Sequence, residues 1–137
     1  YLNKYAVWGL HESYNSESII KRFAEDDKLL YKSFDSLITI SQYDQDESMN
    51  HLLQWLTGTK LALELDLDSI TGFPVSALNP SGFSLNEIRR FVQLIRRFTL
   101  PTYFHICEGS PGRANSESEK QLLGKSIAYL VCDFVKG

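Results

Sequence analysis

The chain of 137 residues contains two cysteines, Cys107 and Cys132. They form no Cys-x-x-Cys pair, so neither a disulfide framework nor a zinc site is indicated, and a reducing cytoplasm is the default compartment. No apolar run approaches the length needed to span a bilayer, and no signal peptide is visible. An excess of positive charge is also missing. The net charge of −3 gives no electrostatic case for a nucleic acid or an anionic membrane as partner. Neither an internal repeat nor a low-complexity segment is legible. What remains, 43% hydrophobic and 23% charged, is the composition of an ordinary globular protein of one domain.

The stretch around which the rest is organised runs from Leu61 to Asp68, where alternating apolar residues pass into Glu64-Leu-Asp-Leu-Asp68. In an extended chain Glu64, Asp66 and Asp68 share one face, and Leu63, Leu65 and Leu67 share the other. Three carboxylates on one face repel, and a divalent cation offsets that repulsion. Oxygen ligands at this spacing suit Mn²⁺, Mg²⁺ or Ca²⁺. The alternative is an edge strand whose acidic face is solvated.

Further elements follow from periodicity and capping. Tyr5–Leu10 reads as a strand that passes into the polar run His11-Glu-Ser-Tyr-Asn15. A helix with Ile19, Ile20 and Phe23 on its apolar face follows, capped by Asn15 or Ser16. The stretch from Leu29 to Ile40 is ambiguous between strand and helix. Asp44-Gln-Asp-Glu47 has the form of a capping box for a helix that ends at Gly58. Gly72 to Gly82 is a long loop of turn formers. Ser84-Leu-Asn-Glu87 opens a helix whose Arg89, Arg90, Arg96 and Arg97 read as a solvated outer face. Pro101–Cys107 is a strand that ends at Glu108, and Ser116-Glu-Ser-Glu119 caps a last helix.

This alternation predicts an α/β fold, a mainly parallel sheet covered by helices on both faces. Ligands in such sheets gather at the carboxyl ends of strands, and three strands here end in His11-Glu12, Asp66–Asp68 and Glu108. His11 stands where it can touch a substrate, although a surface loop role is the simpler reading for it. His51 reads as solvent-facing and His105 as a packed core histidine. Cys107 reads as inert, because a neighbouring carboxylate disfavours the thiolate.

Glu64-Leu-Asp-Leu-Asp68, Gly72-Phe-Pro-Val-Ser76 and His105-Ile-Cys-Glu-Gly-Ser-Pro111 together resemble the ureohydrolase superfamily of arginase, agmatinase and formimidoylglutamase. Members carry a Ser-Phe-Asp-x-Asp strand, a Gly-Thr-Pro-x loop and a strand ending in glutamate shortly before Asn-Pro. Tyr14-Asn-Ser16 also looks like the Ser-Asn-Thr turn of formimidoylglutamases, which makes Asn15 a substrate-side residue by resemblance. The resemblance implies the three-layer arginase-like fold, with Asp66 bridging two Mn²⁺ ions and Asp68 binding one of them. Glu108 would then hold the cationic end of a small amidine or guanidino substrate. A metal-bridging hydroxide would attack the amidine carbon, and the resemblance extends to a homo-oligomer, since family members are often oligomers.

The sequence departs from the family pattern at Glu64, Phe73, His105 and Gly109-Ser110, which points away from arginine and towards formimidoylglutamate or a related amidine. The family's Gly-Gly-Asp-His and Asp-x-His-x-Asp segments do not occur. The expectation is therefore the C-terminal portion of a longer catalytic domain, one that binds metal poorly by itself. Rival readings are a catalytically inactive arginase-like protein, a metal-binding flavodoxin-like interaction module, and a nucleotide-sugar transferase using Asp66-x-Asp68.

Overall fold

Two parallel strand pairs, each built with a helical crossover, frame the chain in a computed structural model that describes residues 3–136. They belong to two compact units that meet in sequence at Trp55 and Leu56.

In the first unit β1 (Tyr5–Leu10) pairs with β2 (Leu29–Ser33), and α1 (Glu17–Glu25) connects them. The register slips between Trp8 and Leu10, where Gly9 takes a φ of 85° that a side chain would resist. The ambiguous stretch resolves into both of its options. It is strand to Ser33, whose hydroxyl accepts from the Ser36 N–H at 3.2 Å and starts α2 (Phe34–Thr39). The next helix, α3 (Gln42–Leu56), begins before the predicted Asp44 box. Ser41 is its cap instead, accepting from the Asp44 N–H at 3.2 Å and donating to the Asp44 carboxylate at 2.6 Å. Phe34, Leu37, Leu52 and Leu53 are buried.

In the second unit β3 (Ala62–Asp66) pairs in parallel with β4 (Tyr103–Cys107), with α4 (Leu85–Thr99) as the crossover and α5 (Glu117–Lys136) after it. The Ser84–Glu87 capping box is complete on both sides. Leu63 and Leu65 from β3, Ile88, Val92 and Ile95 from α4, and Leu123 and Leu130 from α5 are all buried. Burying that many aliphatic side chains, each contributing about 1.5–3 kcal/mol, is the main force holding this unit together. Phe104 stacks on Phe134 with centroids 4.7 Å apart, which fixes α5 to the apolar side of β4.

The predicted arginine face does more than meet solvent. Arg89 grips Asp133 through Nε at 2.6 Å and Nη2 at 3.1 Å, and Arg96 Nε donates to the Phe134 carbonyl at 2.9 Å. These bonds tie α4 to α5. No helix among the described residues is long and apolar enough to cross a membrane.

Candidate metal and substrate site

β3 ends because Asp66 ends it. Its carboxylate accepts the Asp68 N–H at 2.8 Å, and residues Leu67–Ser69 turn into a short 3₁₀ helix. Asp68 therefore leaves the strand, and the predicted single face of Glu64, Asp66 and Asp68 holds only for Glu64 and Asp66. Leu63, Leu65 and Leu67 are buried as the alternation requires. The following loop is closed by Phe83 N–H to Ser69 O at 2.9 Å and Thr71 N–H to Phe83 O at 3.0 Å. Gly82 makes this closure possible, since a Cβ there would lie 2.5 Å from the Ser69 carbonyl oxygen.

The turn after β3 meets the end of β4 through an antiparallel bridge between Val75 and Gly109. Ser76 N–H donates to Glu108 O at 3.1 Å and Ser110 N–H to Pro74 O at 2.9 Å. Glu108 has a φ of 64°, in the left-handed region that costs a residue with a Cβ roughly 1–2 kcal/mol. Such conformations persist where surrounding contacts impose them, and they gather at functional sites. The bridge imposes this one.

The side chains complete the site. Ser76 Oγ lies 3.0 Å from Asp68 Oδ2 and also within hydrogen-bond distance of Glu108 Oε2. Asp68 Oδ1 accepts the Ala77 N–H at 3.3 Å. A hydroxyl has one proton, so Ser76 can donate to only one carboxylate at a time. The remaining oxygen–oxygen contact is repulsive unless a cation or a second proton is shared there. Asp66 also feels the charges of these carboxylates, although they are not the main influence on it. Burial holds its carboxyl above the usual range despite the opposing bond from the Asp68 N–H, and the charges of Asp68, Glu108 and Glu64 push the same way.

Asp66, Asp68 and Glu108 are thus the predicted residues that the fold brings together, and Ser76 is the one that sequence reasoning left without a role. Its signal was present, because it closes the Gly72–Ser76 loop already singled out. The donor chemistry, hard carboxylate oxygens in a field of like charge, fits Mn²⁺. Two carboxylate ligands do not fill the coordination spheres of two ions.

Of the other predicted residues, His11 and Asn15 belong to the first unit. His11 follows β1 in the first unit, where its ring stacks on Phe34 at 5.0 Å. Asn15 donates from Nδ2 to the His11 carbonyl at 2.8 Å, so its amide closes its own turn. His51 is exposed, as expected. His105 is not the packed core histidine expected from its strand. It lies on the exposed side of β4 with Tyr103, and its Nδ1 is 3.6 Å from Glu64 Oε2. Cys107 is held in its thiol form by burial first, then by the charges of Asp66, Glu64, Glu108 and Asp68.

No family model and no curated protein matches the chain at the level of sequence. Solved structures do match it in fold. Arginase from Helicobacter pylori superposes with a TM-score of 0.70 at 20% identity, over 94% of this chain and 43% of that one. Formimidoylglutamase from Bacillus subtilis gives a TM-score of 0.74 at 16% identity, over 96% of this chain and 40% of that one. Formiminoglutamase from Trypanosoma cruzi, solved with Mn²⁺, gives 0.69 at 15% identity, over 96% of this chain and 45% of that one. The chain therefore has the arginase-like α/β fold of the ureohydrolases. It spans less than half the length of these three proteins.

Proposed function

We propose that the chain is the C-terminal portion of an arginase-like catalytic domain, in a cytoplasmic hydrolase that cleaves the carbon–nitrogen bond of a linear amidine, with a formimidoylglutamate-like substrate preferred. The observation that carries this reading is the Ser76 hydroxyl set between Asp68 and Glu108, beside Asp66, at the carboxyl ends of two parallel strands of that fold.

Asp66 and Asp68 would hold paired Mn²⁺ ions with ligands from outside this chain. The ions, when bound, supply a Lewis acid and make water acidic enough to act as a nucleophile near neutral pH. Glu108 binds the substrate's amidinium, whose two parallel N–H groups match the two oxygens of a carboxylate. The left-handed backbone at Glu108 fixes the direction of that carboxylate, and the Ser76 backbone and side chain hold it there. Asp68 is braced by the Ala77 N–H, and the single Ser76 hydroxyl proton is shared in turn between Asp68 and Glu108, which orients the Asp68 oxygens before any ion arrives. Preorganisation of this kind reduces the reorganisation needed during reaction.

The test is an assay of the intact protein with Mn²⁺ against formimidoylglutamate, agmatine and arginine, beside Asp66→Ala. Mn²⁺-dependent turnover of the first substrate, abolished in the variant, supports the reading. Turnover that survives the substitution unchanged overturns it.

A further inference from the structure

The exposed face of β3 and β4 carries a second group of donors that the proposed chemistry does not use. Glu64 and His105 are register partners across the parallel pair, and Cys107 follows His105 on the same face. One ligand atom from each, a carboxylate oxygen, an imidazole nitrogen and the sulfur, all lie within 4.8 Å of one another. Glu64, distant in sequence from the other two, meets His105 and Cys107 here because the ladder aligns the strands.

We propose that Glu64, His105 and Cys107 form a binding site for a borderline divalent cation, Zn²⁺ in the first instance, separate from the Asp66–Asp68 pair.

The donor set decides the metal class. Zn²⁺ takes sulfur, imidazole and carboxylate ligands together in a tetrahedral shell, with bonds of about 2.0–2.3 Å that place neighbouring ligand atoms roughly 3.3–3.8 Å apart. The Nδ1 of His105 and the Oε2 of Glu64 already stand 3.6 Å apart. Adjacent strands in register hold the three Cα positions, so the donors are brought together by backbone pairing and not by a mobile loop. Mn²⁺ prefers an all-oxygen or oxygen–nitrogen shell, so the Cys107 sulfur, which gives up its proton when a cation binds, separates this site from the neighbouring pair of aspartates. Asp66, Asp68 and Glu108 act on Cys107 as negative charges, and the same field favours a cation beside it. Glu64 and His105 are exposed, which leaves the fourth position open to water.

Cobalt titration of the chain tests this directly, since Co²⁺ takes zinc ligands and a thiolate ligand gives a near-ultraviolet charge-transfer band. The wild-type chain and Cys132→Ser should both show the band, and Zn²⁺ should displace it. Cys107→Ser should abolish it, and both His105→Ala and the conservative His105→Gln should weaken Co²⁺ binding about tenfold or more. Asp68→Ala should retain it, because Asp68 has left the strand, which distinguishes this site from the proposed Mn²⁺ pair. No band in the wild type, a band that persists in Cys107→Ser, or loss in Asp68→Ala to the same extent as in Cys107→Ser overturns the proposal. Circular dichroism of each variant identifies any that loses its fold, and the milder member of the His105 pair then decides.

Discussion

Ser76 Oγ lies 3.0 Å from Asp68 Oδ2, and the same hydroxyl reaches Glu108, so one side chain links the proposed metal ligand to the proposed substrate ligand. Ser76→Ala should therefore loosen both without opening the core, because Ser76 is exposed. The expected result for the intact protein is a loss of Mn²⁺ affinity of about tenfold or more, as when other residues bracing a metal ligand are removed. Thermal stability without metal should barely change. Titration with Mn²⁺ followed by electron paramagnetic resonance, beside a melting curve in chelator, checks both.

Glu108 separates strain from function. At a φ of 64° glycine is at ease and alanine is not. Glu108→Gly and Glu108→Ala remove the same carboxylate and the same contact with Ser76, so both should abolish substrate turnover. The glycine variant should nonetheless be the more stable of the two by about 1 kcal/mol. Urea unfolding of the pair measures that difference, and equal stabilities would show that the backbone at this position is not strained.

Much of this was legible in the chain, and the parts that were not have physical reasons. Leu63, Leu65 and Leu67 revealed the buried side of β3 because an alternation survives even where the strand ends early. Asp68 was misplaced onto the strand because the stop comes from a bond between the Asp66 side chain and the Asp68 N–H, and a string of alternating residues does not show it. The Ser84 box was read correctly since capping is local, whereas the Asp44 box gave way to Ser41, a competing cap three residues earlier. His105 reads as a core residue because it shares a strand face with Cys107 opposite Glu108, yet the structure leaves it exposed. Its pairing with Glu64 depends on the register of two strands joined through α4, which no local pattern encodes.

Asp66 makes a prediction about the metal-free chain. Burial raises its carboxyl above the ordinary value, so the folded state disfavours its charged form. A raised carboxyl contributes stability that is fully present below the unfolded pKa and is lost as pH rises through the folded value. At neutral pH in chelator, Asp66→Asn should therefore be more stable than the wild type, since asparagine keeps an acceptor for the Asp68 N–H and carries no charge. The advantage should shrink as the pH is lowered into the carboxylate range. With Mn²⁺ added, the order should reverse if the ion is held there, because only the wild type binds it. Chemical unfolding at two pH values, with and without Mn²⁺, reads all three outcomes.

Asp133 behaves in the opposite sense. The hydrogen bonds from Arg89 hold its carboxyl below the ordinary range against a smaller opposing effect of burial, and Gln93 adds another bond at 2.8 Å. Arg89 also lies over the Tyr129 ring at 4.6 Å, so the guanidinium is held on two sides and donates through a fixed fork. A lowered carboxyl contributes stability that is present above the unfolded pKa and is lost as pH falls through the folded one. Asp133→Asn should lower unfolding stability at pH 7 by about 1 kcal/mol, the upper end for ion pairs near a surface. The gap between variant and wild type should persist down to about pH 4, the ordinary aspartate range, and close below it. Because the pair fastens α5 to α4 and shares no hydrogen bond with Ser76, Asp68 or Glu108, the substitution should leave Mn²⁺ affinity and the cobalt band unchanged. A urea series across pH, with the two metal titrations as controls, tests whether this bond serves the fold alone.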